Sequence, residues 1–287
     1  MKILRLGDGA PTAVLKSARQ HGHSMVNQAN TSPEAVILSG AKKKDVHQAQ
    51  QALASGIPVF CATPRASGTI LEALVEHGQM HKTLVYVPYH RRVSAPYSAL
   101  ANQVAEGKIG EVGFIKIHAN QPIPRGYTPT KGSPCAEVIL NEMVQDIDWL
   151  HLNFGPIKKV FCQGTQQFKP KTEYAMATFT LKKGVIAQVI HSYQTTVIPS
   201  LRAEICGTAG MVQYDSADTP IRQIPARSEK EQAALDAATR WSSHWIAFGD
   251  LVIRGTDTAK DARSYVAPAQ IATLAVQSVK TNRPFSV

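Results

Sequence analysis

The sequence predicts an α/β unit followed by an α+β unit, and two changes of pattern carry that expectation. From Lys2 to about Gly110, short apolar runs alternate with stretches of helical spacing, as in a parallel sheet wound on both faces. From about Glu111 onward, strands follow one another directly through glycine-containing turns, as in a large, mostly antiparallel sheet. The boundary therefore falls between domains 1–110 and 111–287.

In the first half the predicted strands are "ILRLG", "AVILSG", "PVFCA" and "TLVYVP", and the helices between them "APTAVLKSARQHG", "KDVHQAQQALASG", "TILEALVEHGQ" and "PYSALANQVAEGKIG". Between Gly22 and Val36, "GHSMVNQANTSPEAV" gives one short strand and passes straight to the next, so a helix and a strand of a standard half-domain are missing. In the second half, "GFIKIHANQ", "KKVFCQGTQQF", "YAMATFTLKKG", "VIAQVIHSYQT" and "LRAEICGTAGMVQYD" read as strands. The helix "CAEVILNEMVQDIDWLHLNFG" interrupts them and stops at Gly155, a residue suited to a helix C-terminus. Two more helical patterns follow; in the first, Trp241, Trp245, Phe248 and Val252 stand three and four apart, the spacing of a buried stripe.

A chain of 287 residues can bury a sizeable core without a metal or disulfide to hold it. Its cysteines, at 61, 135, 162 and 206, form no Cys-x-x-Cys pair and read as reduced thiols of a cytoplasmic protein. No apolar run approaches a membrane span, and "MKILRLGDGAP" is too short for a signal peptide's apolar core. The net charge of +10 raises nucleic-acid binding, but its Lys and Arg are scattered and no basic face is interleaved with aromatics, which argues against it. His118, His151 and His191 have no companions at metal-ligand spacing, so no metal is expected.

Several segments, in order, resemble the Gfo/Idh/MocA family of glucose-fructose oxidoreductase and inositol dehydrogenase. "QALASGIPVFCATP" (51–64) is similar to its helix, glycine, strand and Glu-Lys-Pro pattern. "YHRRVSAPYSALANQVAEGKIGEVGFIKI" (89–117) is similar to its Asn-Arg-Arg-Phe segment and the entry to its second domain. "ILNEMVQDIDWLHLNFG" (139–155), "EICGTAGMVQYD" (204–215) and the Asn-Arg-Pro tail complete the likeness. The resemblance implies a Rossmann-type domain for NAD or NADP, here shortened, and a second domain for substrate and dimerisation. It places Gly7, Gly9, Thr12, Ser39, Thr63 and Pro64 on the cofactor side, and Tyr89, Arg92, Asn141 and Gln145 on the substrate side.

The residues depart from that pattern in two places. "GDGAPT" offers Gly7 and Gly9 to a pyrophosphate, but Thr12 takes the third glycine's place and Asp8 would repel the phosphates. No Asp or Glu lies between Asp8 and Glu34 to hold the adenosine ribose, and no Lys or Arg between Arg19 and Lys42 to hold a 2′-phosphate. Losing such a charged hydrogen bond costs about 1.5 to 3 kcal/mol, so nicotinamide binding is expected to be weak or absent. Hydride transfer also needs a group to take the hydroxyl proton. The family's Lys, Asp and His positions read here Thr63, Asn141 and Gln145, polar residues that do not titrate near neutral pH.

Asn141 and Gln145 stand at i, i+4 on one helix face, which either binds hydroxyls and amides or simply stays wet. His90, near the end of the fifth strand with Tyr89, Arg91 and Arg92, is the best remaining base by type, unless it is a plain surface or interdomain histidine. Lys42, Lys43 and Lys44, and Arg65, are either anion contacts or solvated charges. Two functions stay open: NAD(P)-dependent hydride transfer on a sugar or polyol through an unorthodox proton relay, and a non-catalytic relative that senses a ligand or assembles with an active homologue. Either is expected as a homo-oligomer, dimer or tetramer, through the open face of the second sheet.

Overall fold

The structure, a computed structural model, describes residues 1–7, 12–26, 32–40, 42–62, 68–123, 132–168, 171–194, 199–216, 229–254 and 264–287; of residues 12, 13, 168, 171, 229–240 and 254 only the backbone is described. The chain forms two compact units, Met1–Val93 with Lys230–Gln270, and Ser94–Glu229 with Ile271–Val287.

The first unit is built on a parallel sheet. Strands β1 (Lys2–Leu6), β2 (Ser24–Val26), β3 (Ala35–Leu38), β4 (Val59–Cys61) and β5 (Val85–Tyr86) lie in the order β2-β1-β3-β4-β5. Every residue of β3 is buried, as a central parallel strand covered on both faces requires. Helices α1 (Thr12–Gln20), α2 (Lys43–Ala54) and α3 (Gly68–Met80) follow β1, β3 and β4. Only residues 27–34 join β2 to β3, too few for a crossover helix and a further strand, so the shortening expected from the sequence is present.

That omission leaves part of one sheet face to be covered from elsewhere. Helix α7 (Glu229–Arg254) does so with the predicted stripe. Trp241, Trp245 and Phe248 are buried and join Ile3, Ala35, Ile37, Phe60 and Tyr86 in one core, with Val252 packed against it. The Trp245 ring stacks on Phe60 at 4.5 Å and 14°, and its Nε1 donates to the Val14 carbonyl at 3.2 Å. The sequence cut at 110/111 assigns this helix to the second domain, whereas in the structure Lys230–Gln270 folds with the first unit and the nearer division is at Val93/Ser94. Buried aromatic area on a sheet face is worth more than proximity along the chain.

The second unit is a seven-stranded sheet in the order β11-β10-β6-β9-β8-β7-β12. Its strands are β6 (Val112–Pro122), β7 (Ile157–Phe168), β8 (Lys171–Leu181), β9 (Ile186–Gln194), β10 (Ser200–Gly207), β11 (Gly210–Asp215) and β12 (Phe285–Ser286). Among the described residues of this sheet only β6 and β9 pair in parallel, so it is mostly antiparallel, as predicted. Helix α4 (Ala95–Ala105) enters it, and α8 (Val266–Thr281) ends with Ser278 accepting from the Cys162 N–H of β7 at 2.8 Å.

The predicted helix across 135–155 runs as α5 (Ala136–Val138), a π turn (Ile139–Met143) and α6 (Val144–Phe154), and closes at Gly155 with φ 94°. Two buried carboxylates on its sheet side are hydrogen-bonded. Glu173 of β8 accepts from the Val138 N–H at 2.9 Å, capping the start. Asp146, fully buried, accepts from the Tyr97 hydroxyl of α4 and lies 2.5 Å from His191 Nε2 on β9. The opposite face of the sheet carries Phe114, Met176, Ile186 and Met211, all exposed.

Candidate ligand site

The residues that the sequence singles out are divided between the two units. Gly7 and Ser39 stand at the carboxyl edge of the parallel sheet, where ligands bind in such folds. Gly7 has φ +82°, and a Cβ there would meet the Gly40 nitrogen at 2.8 Å, so both the conformation and the close approach demand glycine. Ser39 is buried, and its hydroxyl is directed to the carbonyls of Leu6 at 2.8 Å and Gly7 at 2.9 Å, tying the ends of β1 and β3 together. Gly9, Thr63 and Pro64, with Asp8 and Arg65, lie outside the described residues, as does the Thr12 side chain.

A residue the sequence reading passed over completes this corner. Asp45, in the first turn of α2, is 8% exposed, and its Oδ2 has no hydrogen-bond partner. That oxygen faces the glycines: a Cβ on Gly7 would meet it at 3.0 Å and one on Gly40 at 2.8 Å. A nicotinamide dinucleotide, the cofactor implied by the resemblance, brings a doubly charged pyrophosphate to such a turn. A buried carboxylate oxygen without a partner there opposes an anion and calls for a donor. Among the described residues this corner does not fit a pyrophosphate. The one signal for it is its place on the buried side of α2 with Ala49, Ala52 and Leu53.

The other group in the first unit surrounds the end of β5. His90, in the 3-10 turn His90–Val93, is half-buried, and its Nδ1 lies 2.7 Å from His244 Nε2. His244, on α7 and fully buried, reaches the Tyr86 hydroxyl with its Nδ1 at 2.7 Å. Burial pushes the Tyr86 phenol well above its ordinary range, so it stays protonated. Tyr89 donates to the Tyr265 carbonyl at 2.9 Å, and Arg92 donates to Ser264 at 3.0 Å while lying 4.3 Å over the Tyr265 ring. The predicted substrate residues Tyr89 and Arg92 thus anchor the 264–265 turn. His244 was missed, although it falls three residues after Trp241 on the buried stripe.

Asn141 and Gln145 belong to the second unit. Asn141 sits in the π turn, half-buried, with its Nδ2 donating to Glu137 at 3.3 Å. Gln145 is 1% exposed and donates to the Asn141 carbonyl at 3.4 Å, so its side of the helix is buried and not a solvated face. The π turn widens the helix where the two meet, a feature common at functional sites. No three His, Cys, Asp or Glu side chains gather as a metal set among the described residues, and no described helix is long and apolar enough to cross a membrane.

Comparison with known proteins gives this architecture a context. Residues 97–213 match the model of the GFO/IDH/MocA C-terminal domain. No curated protein sequence matches the chain. Among solved structures, the chain is similar to a myo-inositol dehydrogenase from Corynebacterium glutamicum, with TM-score 0.73 and 16% identity over 100% of this chain and 98% of that one. A myo-inositol 2-dehydrogenase from Lactobacillus plantarum gives TM-score 0.74 at 13% identity, covering 100% and 99%. A scyllo-inositol dehydrogenase from Lactobacillus casei, solved with NAD(H) and scyllo-inositol, gives 0.70 at 16% identity, covering 100% and 98%. The likeness to the Gfo/Idh/MocA family read from the sequence is thereby shown: the chain has the two-domain fold of these oxidoreductases, with a GFO/IDH/MocA C-terminal domain at 97–213 behind a shortened Rossmann-type unit.

Proposed function

We propose that this chain binds a sugar or polyol on an oxidoreductase scaffold without the standard hydride chemistry, as a ligand sensor or as a subunit assembled with an active homologue. The observation that carries this reading is the unpaired Asp45 oxygen buried against Gly7 and Gly40, which disfavours a pyrophosphate. Thr63, Asn141 and Gln145 support it, being neutral where the family titrates but still able to bond hydroxyls. Calorimetric titration with NAD⁺, NADH, NADP⁺, NADPH and a panel of inositols tests it. Inositol binding with nucleotide binding absent up to millimolar concentration is expected; micromolar affinity for any of the four nucleotides would overturn it.

A second reading, NAD(P)-dependent oxidation of a sugar or polyol with His90 taking the proton, is favoured by the positive φ of Gly7 and by the hydrogen-bonded His90. The triple variant Thr63→Lys, Asn141→Asp, Gln145→His separates the two. Under the first reading it stays far below ordinary turnover of about 10 per second, because the dinucleotide side is also altered.

The first unit is then a former dinucleotide domain and the second the ligand and assembly domain of a cytoplasmic homo-oligomer, dimer or tetramer. Supporting the oligomer, Ile186, Phe114, Cys206 and Met211 are directly paired across β9, β6, β10 and β11 on the open sheet face. They form an apolar row of the kind that marks an interface.

A further inference from the structure

We propose that His77 and His81 form a binding site for a divalent transition-metal ion at the C-terminal end of α3, separate from the corner at Gly7 and Ser39. Residues i and i+4 of a helix share a face, and two imidazoles so placed hold one cation between them. The helical turn between the two is intact, since the His81 N–H donates to the His77 carbonyl at 3.1 Å. Their ring centres lie 5.4 Å apart. A metal about 2.0 Å from an imidazole nitrogen sits about 3.2 Å from that ring's centre, so two rings meeting at one tetrahedral metal have centres about 5.2 Å apart. The observed spacing is therefore that of a chelate.

The backbone that carries the rings is held firmly. The Lys82 N–H donates to the Gln79 carbonyl at 3.2 Å and the Thr83 N–H to the Gly78 carbonyl at 2.8 Å, closing the helix. The buried Thr83 hydroxyl lies 3.1 Å from the His81 carbonyl and 2.9 Å from that of Leu53 on α2. A Cβ at Gly78 would meet Val85 Cγ2 at 2.7 Å, so this end of α3 is pressed against β5. The rings stay reachable, His77 half-buried and His81 exposed.

The donors select the cation. Imidazole nitrogen suits Zn²⁺, Ni²⁺ and Cu²⁺, whereas Ca²⁺ and Mg²⁺ take oxygen ligands. The last turn of α3 also presents the negative end of the helix dipole, which favours a cation there. Glu76 and Lys82, the charges beside the pair in sequence, are of opposite sign. Two protein ligands leave the remaining positions to water. Helix α3 leaves the carboxyl edge of the sheet after β4 and returns to the amino edge before the parallel β5. Its 13 residues thus carry the pair about 20 Å from the edge where Gly7 and Ser39 stand.

The measurement uses the full chain, stripped with a chelator and titrated calorimetrically at neutral pH with Zn²⁺, Ni²⁺ and Mg²⁺. Zn²⁺ and Ni²⁺ are each expected to bind at one ion per chain, and Mg²⁺ not at all. His81→Gln changes an exposed side chain and should weaken binding at least about tenfold, because a two-point contact becomes a one-point contact. His77→Gln should do the same. His47→Gln, at an exposed ring that contacts Gln51 at 3.2 Å, should leave the affinity unchanged. In the ¹⁵N-histidine-labelled chain, the first additions of Ni²⁺ should broaden the His77 and His81 rings before any other. Wild-type binding no tighter than that of His81→Gln, an equal loss in His47→Gln, or broadening that begins at other histidines would overturn the assignment.

Discussion

At the scale of single residues, Gly7 and Asp45 make opposite demands on one corner, and substitutions should separate them. Gly7→Ala adds a methyl at φ +82° against the Gly40 nitrogen and should destabilise by about 1 to 3 kcal/mol, read from urea unfolding. Asp45→Asn replaces a buried carboxylate whose Oδ2 has no partner by an amide of nearly the same shape. It should stabilise by about 1 kcal/mol after the loss of a favourable acid near the helix N-terminus. A marked loss of stability in Asp45→Asn would mean that the carboxylate is paired in solution, and would remove the main support for a site that disfavours phosphates. The glycine was legible because a strand-to-helix turn names its residue. Asp45 was hidden because an acid in a helix's first turn is ordinarily a solvated dipole partner, and only the Gly7–Gly40 approach closes it off.

At the scale of elements, the alternation of strands and helices, the missing crossover and the helix that separates the strands at 136–154 were readable, since each rests on local periodicity, whereas the π turn within that helix was not. The destination of α7 was not. Its stripe announced burial, but period alone cannot say which sheet receives it, and the omitted element was the only pointer to the parallel one. The same blind spot concealed His244, whose partners Tyr86 and His90 lie more than 150 residues away. If α7 replaces the missing cover, Trp245→Ala should cost about 3 to 5 kcal/mol, the range for emptying a fully packed aromatic site. A loss below about 1 kcal/mol would show that the helix is a dispensable flap. Ile253, 84% exposed at the far end of the same helix, is the control, and Ile253→Ala should change stability little.

At the scale of the whole molecule, the four cysteines report on assembly. Burial pushes the Cys135 and Cys162 thiols up to about 12, so at pH 8 roughly one in ten thousand is thiolate and neither reacts appreciably with an aromatic disulfide reagent. Cys61 is also buried, which leaves half-buried Cys206 as the thiol that the native chain presents. Cys206 lies between Phe114 and Met211 in the apolar row across β6, β10 and β11. If that row is covered by a second copy, the wild type should show less than one reactive thiol per chain at concentrations where sedimentation finds a dimer. Met211→Glu places a charge in the row; it should shift the sedimenting species to monomer and raise the titre to about one, with the melting temperature of the isolated fold little changed because Met211 is 54% exposed. A wild-type monomer with Cys206 fully reactive would leave the sheet face open and remove the homo-oligomer from the proposal. A dimer insensitive to Met211→Glu would move the interface to another surface.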